Sequence, residues 1–270
     1  MKGNLFIRSI AGIVFSATVI CSALLGERYF GLLFLFFAVV GLNEFYSLSH
    51  AKISFGTRLF GLFVGAAIYA FIFLSWYDYI DAKWSWSLGA ILPVWACAEL
   101  FRSQRQTAVE MAWVVFGWLY VVLPFALLNV MAHHVVEFNH ELLIGLFAIL
   151  WANDTGAYAI GRLAGKRKLM PSVSPNKTWE GLLGGMATAI LVGYLWSLGF
   201  SSLVSSQWMV IASIIAVGAN LGDLIESKFK RDAEVKDSGQ LIPGHGGVLD
   251  RFDGLLICAP IITVYIHLIS

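Results

Sequence analysis

Long apolar segments separated by polar connections dominate this chain and restrict what it can fold into. They lie at residues 9–26, 29–43, 59–77, 86–98, 111–131, 142–160, 181–199, 208–222 and 254–270. A bilayer core about 30 Å thick is crossed by roughly 20 apolar residues in a helix, which satisfies its own backbone hydrogen bonds. Because 59% of the residues are apolar and only 13% are charged, the sequence predicts an all-α polytopic membrane protein. We expect about nine transmembrane helices, of which the second and fourth segments are short for a full crossing.

The basic residues indicate how these helices are oriented. Of the 18 lysine and arginine residues, all except Arg28 and Lys83 fall on the N-terminal side of the predicted bundle. Positively charged connections stay in the cytoplasm. We therefore expect the N-terminus inside and the C-terminus outside. The two long connections, 161–180 before helix seven and 224–253 before helix nine, would then face the cytoplasm.

The connection at 224–253 has the composition of a metal and phosphate site. Asp223 and Asp250 lie where apolar helices meet this loop, so a folded loop could bring them together. Carboxylates without cysteine and with a single histidine favour a hard cation such as Mg²⁺. We therefore predict Asp223 and Asp250 as metal ligands. Asp253 follows three residues after Asp250 and would share its helix face.

The same connection also carries groups that suit a triphosphate. Glycines in the turn at 243–247, including Gly246 and Gly247, would let backbone N–H groups approach phosphate oxygens. The basic side chains that could neutralise the phosphates are Lys230, Arg231, Lys236 and Arg251. The alternative is a solvated connector in which Asp250 only caps a helix. His245 is equally consistent with a catalytic acid and with a residue that holds the turn.

These residues and their spacing resemble a known signature. The matching positions are Ser227, Phe229, Lys230, Arg231, Lys236, Asp237, Gly239, Ile242, Pro243, His245, Gly246, Gly247, Val248, Asp250, Arg251, Phe252 and Asp253. They resemble the phosphatidate cytidylyltransferase (CDP-diglyceride synthase) family. The likeness extends upstream to Trp151, Asp154, Ala157, Tyr158, Gly161, Gly165, Lys166 and the run at 174–181. The resemblance implies that residues 141–270 form the catalytic region. In residues 1–140 only hydrophobic character is recognised, and we expect them to form a scaffold that offers dimer or lipid contacts.

Several upstream residues become site candidates through this resemblance. Asp154 lies about 12 residues into its segment, roughly 18 Å along a helix, where an ionisable side chain is by default a functional hypothesis. Its alternative role is helix packing through hydrogen bonds beside Asn153. The family's second block implies that Ser174, Asn176, Lys177 and Glu180 belong to the site. Glu180 could instead be only a first-turn acid that favours the helix dipole.

The resemblance also implies a reaction and its setting. CTP and phosphatidic acid would give CDP-diacylglycerol and pyrophosphate, with Mg²⁺, in a homodimer and with no nucleic-acid partner. From the short loops and the lack of a targeting extension we expect a bacterial cytoplasmic (inner) membrane. The lipid phosphomonoester carries close to two negative charges at pH 7 and needs no general base. One alternative is a CTP-dependent lipid kinase, whose hydroxyl nucleophile would need a base. The other is a transporter, for which internal repeats and midplane charges would be expected.

Overall fold

The structure is a computed structural model of the chain, and it describes residues 2–49, 53–99, 101, 107–134, 137–241 and 246–269. Within these ranges nearly all regular structure is helical. The helices are α1 (Lys2–Leu25), α2 (Glu27–Ser47), α3 (Phe55–Trp76), α4 (Trp86–Glu99), α5 (Thr107–Gly117), α6 (Leu123–Ala132), α7 (His140–Ala164), α8 (Trp179–Gly199), α9 (Ser205–Asp232) and α10 (Leu249–Ile269). A π-helical turn at Trp118–Val122 joins α5 to α6, and a short 3-10 helix at Ala82–Ser85 precedes α4.

The prediction of an all-α polytopic membrane protein is confirmed. In the described part of the chain, seven helical spans are long and apolar enough to cross a membrane, with α5 and α6 together forming one of them. The second predicted segment is a full span of 21 residues in α2, whereas α4 has only 14. In α1 the apolar stretch is Ile10–Leu25. Each predicted segment coincides with a helix, and the number of crossings stays a prediction.

Two connections differ from the sequence-based expectation. The predicted loop at 224–253 begins later, because α9 continues to Asp232. Ion pairs one turn apart support this extension, with Lys230 beside Glu226 and Lys228 beside Asp232. The connection at 161–180 is not simply a loop, since β3 (Lys168–Met170) pairs antiparallel with β4 (Ser174–Thr178). A second pair, β1 (His133–His134) and β2 (Glu137–Phe138), precedes α7.

The start of α10 is anchored in an aromatic core. Phe252 is fully buried, and its ring centroid lies 5.1 Å from those of Phe37 and Phe125 and 5.4 Å from that of Phe15. These partners come from α2, α6 and α1, so α10 is held against the N-terminal helices as well as against α9. Because Asp250 and Asp253 flank Phe252 in sequence, this packing fixes where both acids lie.

We expect substitution of Gly145 to destabilise the α7–α8–α9 bundle. A Cβ at Gly145 would collide with the indole rings of Trp208 and Trp196, and overpacking of this kind costs about 1–3 kcal/mol. Gly145→Leu should therefore lower the unfolding temperature in detergent. Gly89→Leu is the matched control, because a Cβ there meets nothing within 4 Å. Equal unfolding temperatures for the two variants would contradict the close packing.

Candidate active site

A polar cavity of about 670 Å³ lies where α1, α7, α8, α9 and α10 meet the β3–β4 hairpin. Its charged lining side chains are Asp154, Arg162, Lys177, Asp223, Asp250, Arg251 and Asp253. Asn176 and the residues Gly12, Phe15 and Ser16 of α1 also line it. The acids come from α7, α9 and α10, three helices that are distant in sequence. The structure therefore brings Asp223 and Asp250 to one cavity.

Asp223 is paired with a lysine that also lines the cavity. Its Oδ2 lies 2.6 Å from Lys177 Nζ, and its Oδ1 accepts a hydrogen bond from Ser227 Oγ at 3.0 Å. Asp154 and Asp253 are close enough to Asp223 to interact with it electrostatically. Since 39% of the Asp223 side chain is exposed, it remains open to a ligand in the cavity.

Asp250 is held by a separate and more buried set of contacts. Lys230 Nζ lies 2.5 Å from its Oδ1, while its Oδ2 accepts from the backbone N–H groups of Ser238 and Gly247 and from Ser238 Oγ, each at 2.9 Å. Lys230 also lies 3.3 Å from the buried Glu226. The Gly247 N–H group precedes α10, which begins at Leu249, so this contact does not cap the helix's own N–H groups. Asp250 is held by its ion pair with Lys230 and by the N–H groups of the segment before α10.

Local structure places Lys177 at the rim of the cavity. Thr178 caps α8 by accepting from Gly181 N through its hydroxyl, so Lys177 is the last residue but one before the helix. Its Nζ also donates to the carbonyl oxygen of Asn220 on α9. Glu180 turns back and accepts from the backbone N–H groups of Lys166 and Arg167. It therefore fastens the connection between α7 and β3 and takes no part in lining the cavity.

The predicted site residues fall into three groups. Those that line the cavity are Asp154, Asn176, Lys177, Asp223, Asp250, Arg251 and Asp253. Those that contact or adjoin this lining without belonging to it are Lys230, Glu180, Gly246 and Gly247. Those that lie away from the lining are the half-buried Ser174 and the exposed Arg231 and Lys236. His245 lies outside the described residues, and the roles of all these residues stay predictions.

The donor atoms in the cavity suit a hard divalent cation. Asp223 and Asp250 both line it, and Mg²⁺ is commonly held by one or two carboxylates together with substrate phosphates. No cluster of three or more His, Cys, Asp or Glu residues with metal-site geometry occurs in the described part of the chain. The two aspartates therefore fit a cation whose coordination is completed by a substrate.

Some residues at this site were missed by sequence reasoning. Glu44 on α2 lies just beyond the segment drawn at 29–43, yet it is buried and accepts from Val248 N, Leu249 N and Ser238 Oγ. An acid next to an apolar segment was the signal that could have found it. Glu226 could have been found from its spacing of four residues to Lys230. Arg162, which donates to Tyr158 Oη, had a similar local signal.

Comparisons with known proteins identify relatives along nearly the whole chain. Residues 6–269 match the model of the cytidylyltransferase family. A phosphatidate cytidylyltransferase of Haemophilus influenzae is 34% identical, covering 96% of this chain and 97% of that protein. One of Bacillus subtilis is 31% identical over 100% of this chain and 99% of that protein. One of Staphylococcus epidermidis is 47% identical over 120 residues, covering 44% of this chain and 46% of the relative.

We expect Glu180 to protect the connection between α7 and β3 from proteolysis. Glu180→Ala removes the acceptor of the Lys166 and Arg167 N–H groups. Trypsin should therefore cut the folded protein several-fold faster next to these exposed basic residues, as measured by peptide mass spectrometry. Glu141→Ala, in the first turn of α7, is the control and should leave the rate unchanged. An unaltered cleavage rate in Glu180→Ala would show that these hydrogen bonds do not hold the segment.

Proposed function

The chain belongs to the cytidylyltransferase family and transfers the cytidylyl group of CTP to phosphatidic acid, and we propose that the reaction takes place in the cavity lined by Asp154, Asp223, Asp250 and Asp253. The products are CDP-diacylglycerol and pyrophosphate. The observation that carries this placement is the convergence of acids from three helices with Lys177 and Arg251 around one polar space. The space lies within a bundle of membrane-spanning helices, where a lipid and a nucleotide can meet.

The reaction asks the protein mainly for positioning and charge control. A phosphate oxygen of phosphatidic acid forms a bond to the α-phosphorus of CTP, while the bond from that phosphorus to the β-phosphate bridging oxygen breaks. The nucleophile is already anionic because its second pKa is near 6, so no side chain has to remove a proton. The obstacle is repulsion between two polyanions, which positively charged groups must offset.

The basic residues of the cavity are placed to supply part of that charge. Lys177 lies against Asp223, and Arg251 projects from the first turn of α10 into the same space. Arg251 can hold a phosphate with two parallel hydrogen bonds, whereas Lys177 acts as a compact point charge. We assign both to the phosphates of CTP or of the lipid. Lys230 has a different task, since its contact with Asp250 holds that carboxylate in place.

We further propose that Mg²⁺ is required and that Asp223 and Asp250 hold it. Two anionic substrates would be repelled by the carboxylates of Asp223 and Asp250, which supports a divalent cation between the acids and the phosphates. When bound, this ion would neutralise phosphate charge and favour departure of pyrophosphate. Asp154 and Asp253 line the same cavity, so their carboxyl oxygens also lie near Asp223.

The orientation and assembly of the protein complete this proposal. We place the cavity at the cytoplasmic face of a bacterial cytoplasmic membrane, with nine crossings in which α1 and α4 take part. The distribution of basic residues supports this orientation, because all but Arg28 and Lys83 fall on one side. CTP would then arrive from the cytoplasm. The homodimer remains an implication of the family resemblance, which mass photometry in nanodiscs would test.

We expect the two proposed metal ligands to be essential for turnover. Asp223→Asn and Asp250→Asn should each reduce kcat by about 10²-fold or more, as expected for loss of a preorganised electrostatic contact. Membrane insertion and monodispersity in detergent should be preserved. Arg28→Gln is the control, because Arg28 lies at the start of α2 beside Tyr79, away from the cavity lining. Near wild-type kcat in either aspartate variant would remove that residue from the site.

Labelled CTP distinguishes cytidylyl transfer from phosphoryl transfer. With purified protein, phosphatidic acid and Mg²⁺, label in the cytidine should appear in the lipid product, whereas label in the γ-phosphate should appear in pyrophosphate. A chelator should abolish both signals, and added Mg²⁺ should restore them. Lipid that carries only the γ-phosphate would identify a kinase. Activity that survives the chelator would contradict the proposed Mg²⁺ requirement.

A further inference from the structure

Glu44 joins the N-terminal helices to the segment that carries Asp250. Glu44 is an acid within an apolar membrane span, and only 7% of it is exposed. Its Oε1 accepts from Val248 N at 3.0 Å, and its Oε2 accepts from Leu249 N at 3.0 Å and from Ser238 Oγ at 3.2 Å. A buried carboxylate is costly unless such hydrogen bonds compensate it. The arrangement is therefore a specific one, formed between segments about 200 residues apart.

Glu44 provides the hydrogen-bond acceptors for the backbone N–H groups at the start of α10. The first N–H groups of a helix have no partner within the helix and are normally satisfied by a nearby capping side chain. Here the N–H groups of Val248 and Leu249 are taken by a carboxylate from another helix. Negative charge is also favourable at this end of the helix dipole. Glu44 thus fixes the point at which α10 begins, one residue before Asp250.

Ser238 links Glu44 to Asp250 directly. Its hydroxyl oxygen lies 2.9 Å from Asp250 Oδ2 and 3.2 Å from Glu44 Oε2. A hydroxyl has a single proton to donate, so it can serve only one of the two carboxylates at a time. Its backbone N–H also donates to Asp250 Oδ2. Glu44, Ser238 and Asp250 consequently form one continuous polar chain from α2 to the cavity.

Two glycines of the signature segment are explained by the same carboxylate. A Cβ at Gly239 or at Gly247 would collide with the Glu44 carboxylate oxygens. The backbone must approach Glu44 this closely for Val248 and Leu249 to donate to it. These glycines therefore provide the space in which Glu44 lies.

We propose that Glu44 is a positioning residue for cytidylyl transfer. Through its contacts with Ser238 and with the start of α10, Glu44 holds Asp250 and Arg251 towards the cavity. Glu44 does not line the cavity itself, so it acts on the substrates only through these partners. This inference rests on the proposed placement of the reaction at Asp250. It also gives the N-terminal region a part in the chemistry beyond that of a scaffold.

The test begins with Glu44→Gln, which preserves size but turns one acceptor into a donor that faces N–H and O–H groups. We expect kcat per mole of monodisperse protein to fall about 10- to 100-fold, the usual scale for a residue that orients a metal ligand. The KM for phosphatidic acid should change less than about threefold. Ser238→Ala should lower kcat in the same direction by a smaller factor. The double variant should be no worse than Glu44→Gln alone, because both substitutions break the same chain of contacts.

Glu110→Gln is the matched control. Glu110 is also 7% exposed and accepts from a backbone N–H group, that of Ser54 at the start of α3, outside the cavity lining. We expect its kcat to stay within about twofold of wild type, even where the unfolding temperature falls. An equal loss of kcat in Glu110→Gln would overturn the inference, since any lost buried carboxylate would then have the same effect.

The remaining outcomes separate this inference from the proposed function. A kcat for Glu44→Gln within about threefold of wild type, or strictly multiplicative effects of Glu44→Gln and Ser238→Ala, would overturn the positioning role while Asp250→Asn stays inactive. Near wild-type activity in Asp250→Asn would instead overturn the placement of the reaction. Should Glu44→Gln not yield folded protein, an unchanged kcat in Ser238→Ala overturns the inference by itself.

Discussion

The pairing of buried carboxylates is the constraint on which the rest of this structure depends. An acid placed among membrane helices is expensive unless lysine or N–H groups satisfy it. Asp250 meets this requirement with Lys230 and with backbone N–H groups, and Asp223 meets it with Lys177. Glu44 has no lysine partner among these contacts and meets it with two backbone N–H groups and the Ser238 hydroxyl. Each pairing also joins separate elements, so the acids contribute to how the helices associate.

In the proposed reaction, these same pairings would prepare the cavity for its substrates. Lysine contacts keep the acids in place, which would lower the reorganisation needed for phosphates to bind there. The more exposed Asp223 faces the cavity with Asp154 and Asp253 nearby, whereas Asp250 is held from behind by Lys230. An exposed acid, Asp223, beside a buried and firmly held acid, Asp250, suits a reaction that depends on electrostatic positioning. Aromatic packing around Phe252 keeps α10 and its two aspartates from shifting.

Much of the fold could be predicted because lipid imposes strict requirements on sequence. Every predicted apolar segment coincides with a helix, and Asp223, Asp250, Arg251 and Asp253, which the sequence predicted as site residues, line one cavity. The end of α9 was misplaced, because its last turns carry polar residues that hydropathy counts as loop. The β3–β4 hairpin was not predicted, since strands of three and five residues have too short a pattern to be recognised.

The sequence by itself determined the membrane environment of this protein, the helical character of its segments and the chemistry of its signature. These follow from local composition and spacing, because a membrane helix satisfies its backbone within one segment. Only the tertiary structure decided that Glu44 reaches the start of α10, that Lys177 faces Asp223 and that Lys230 serves Asp250 instead of lining the cavity. Such contacts depend on which helix faces meet. They join residues from 20 to 205 positions apart, so no local pattern along the chain records them.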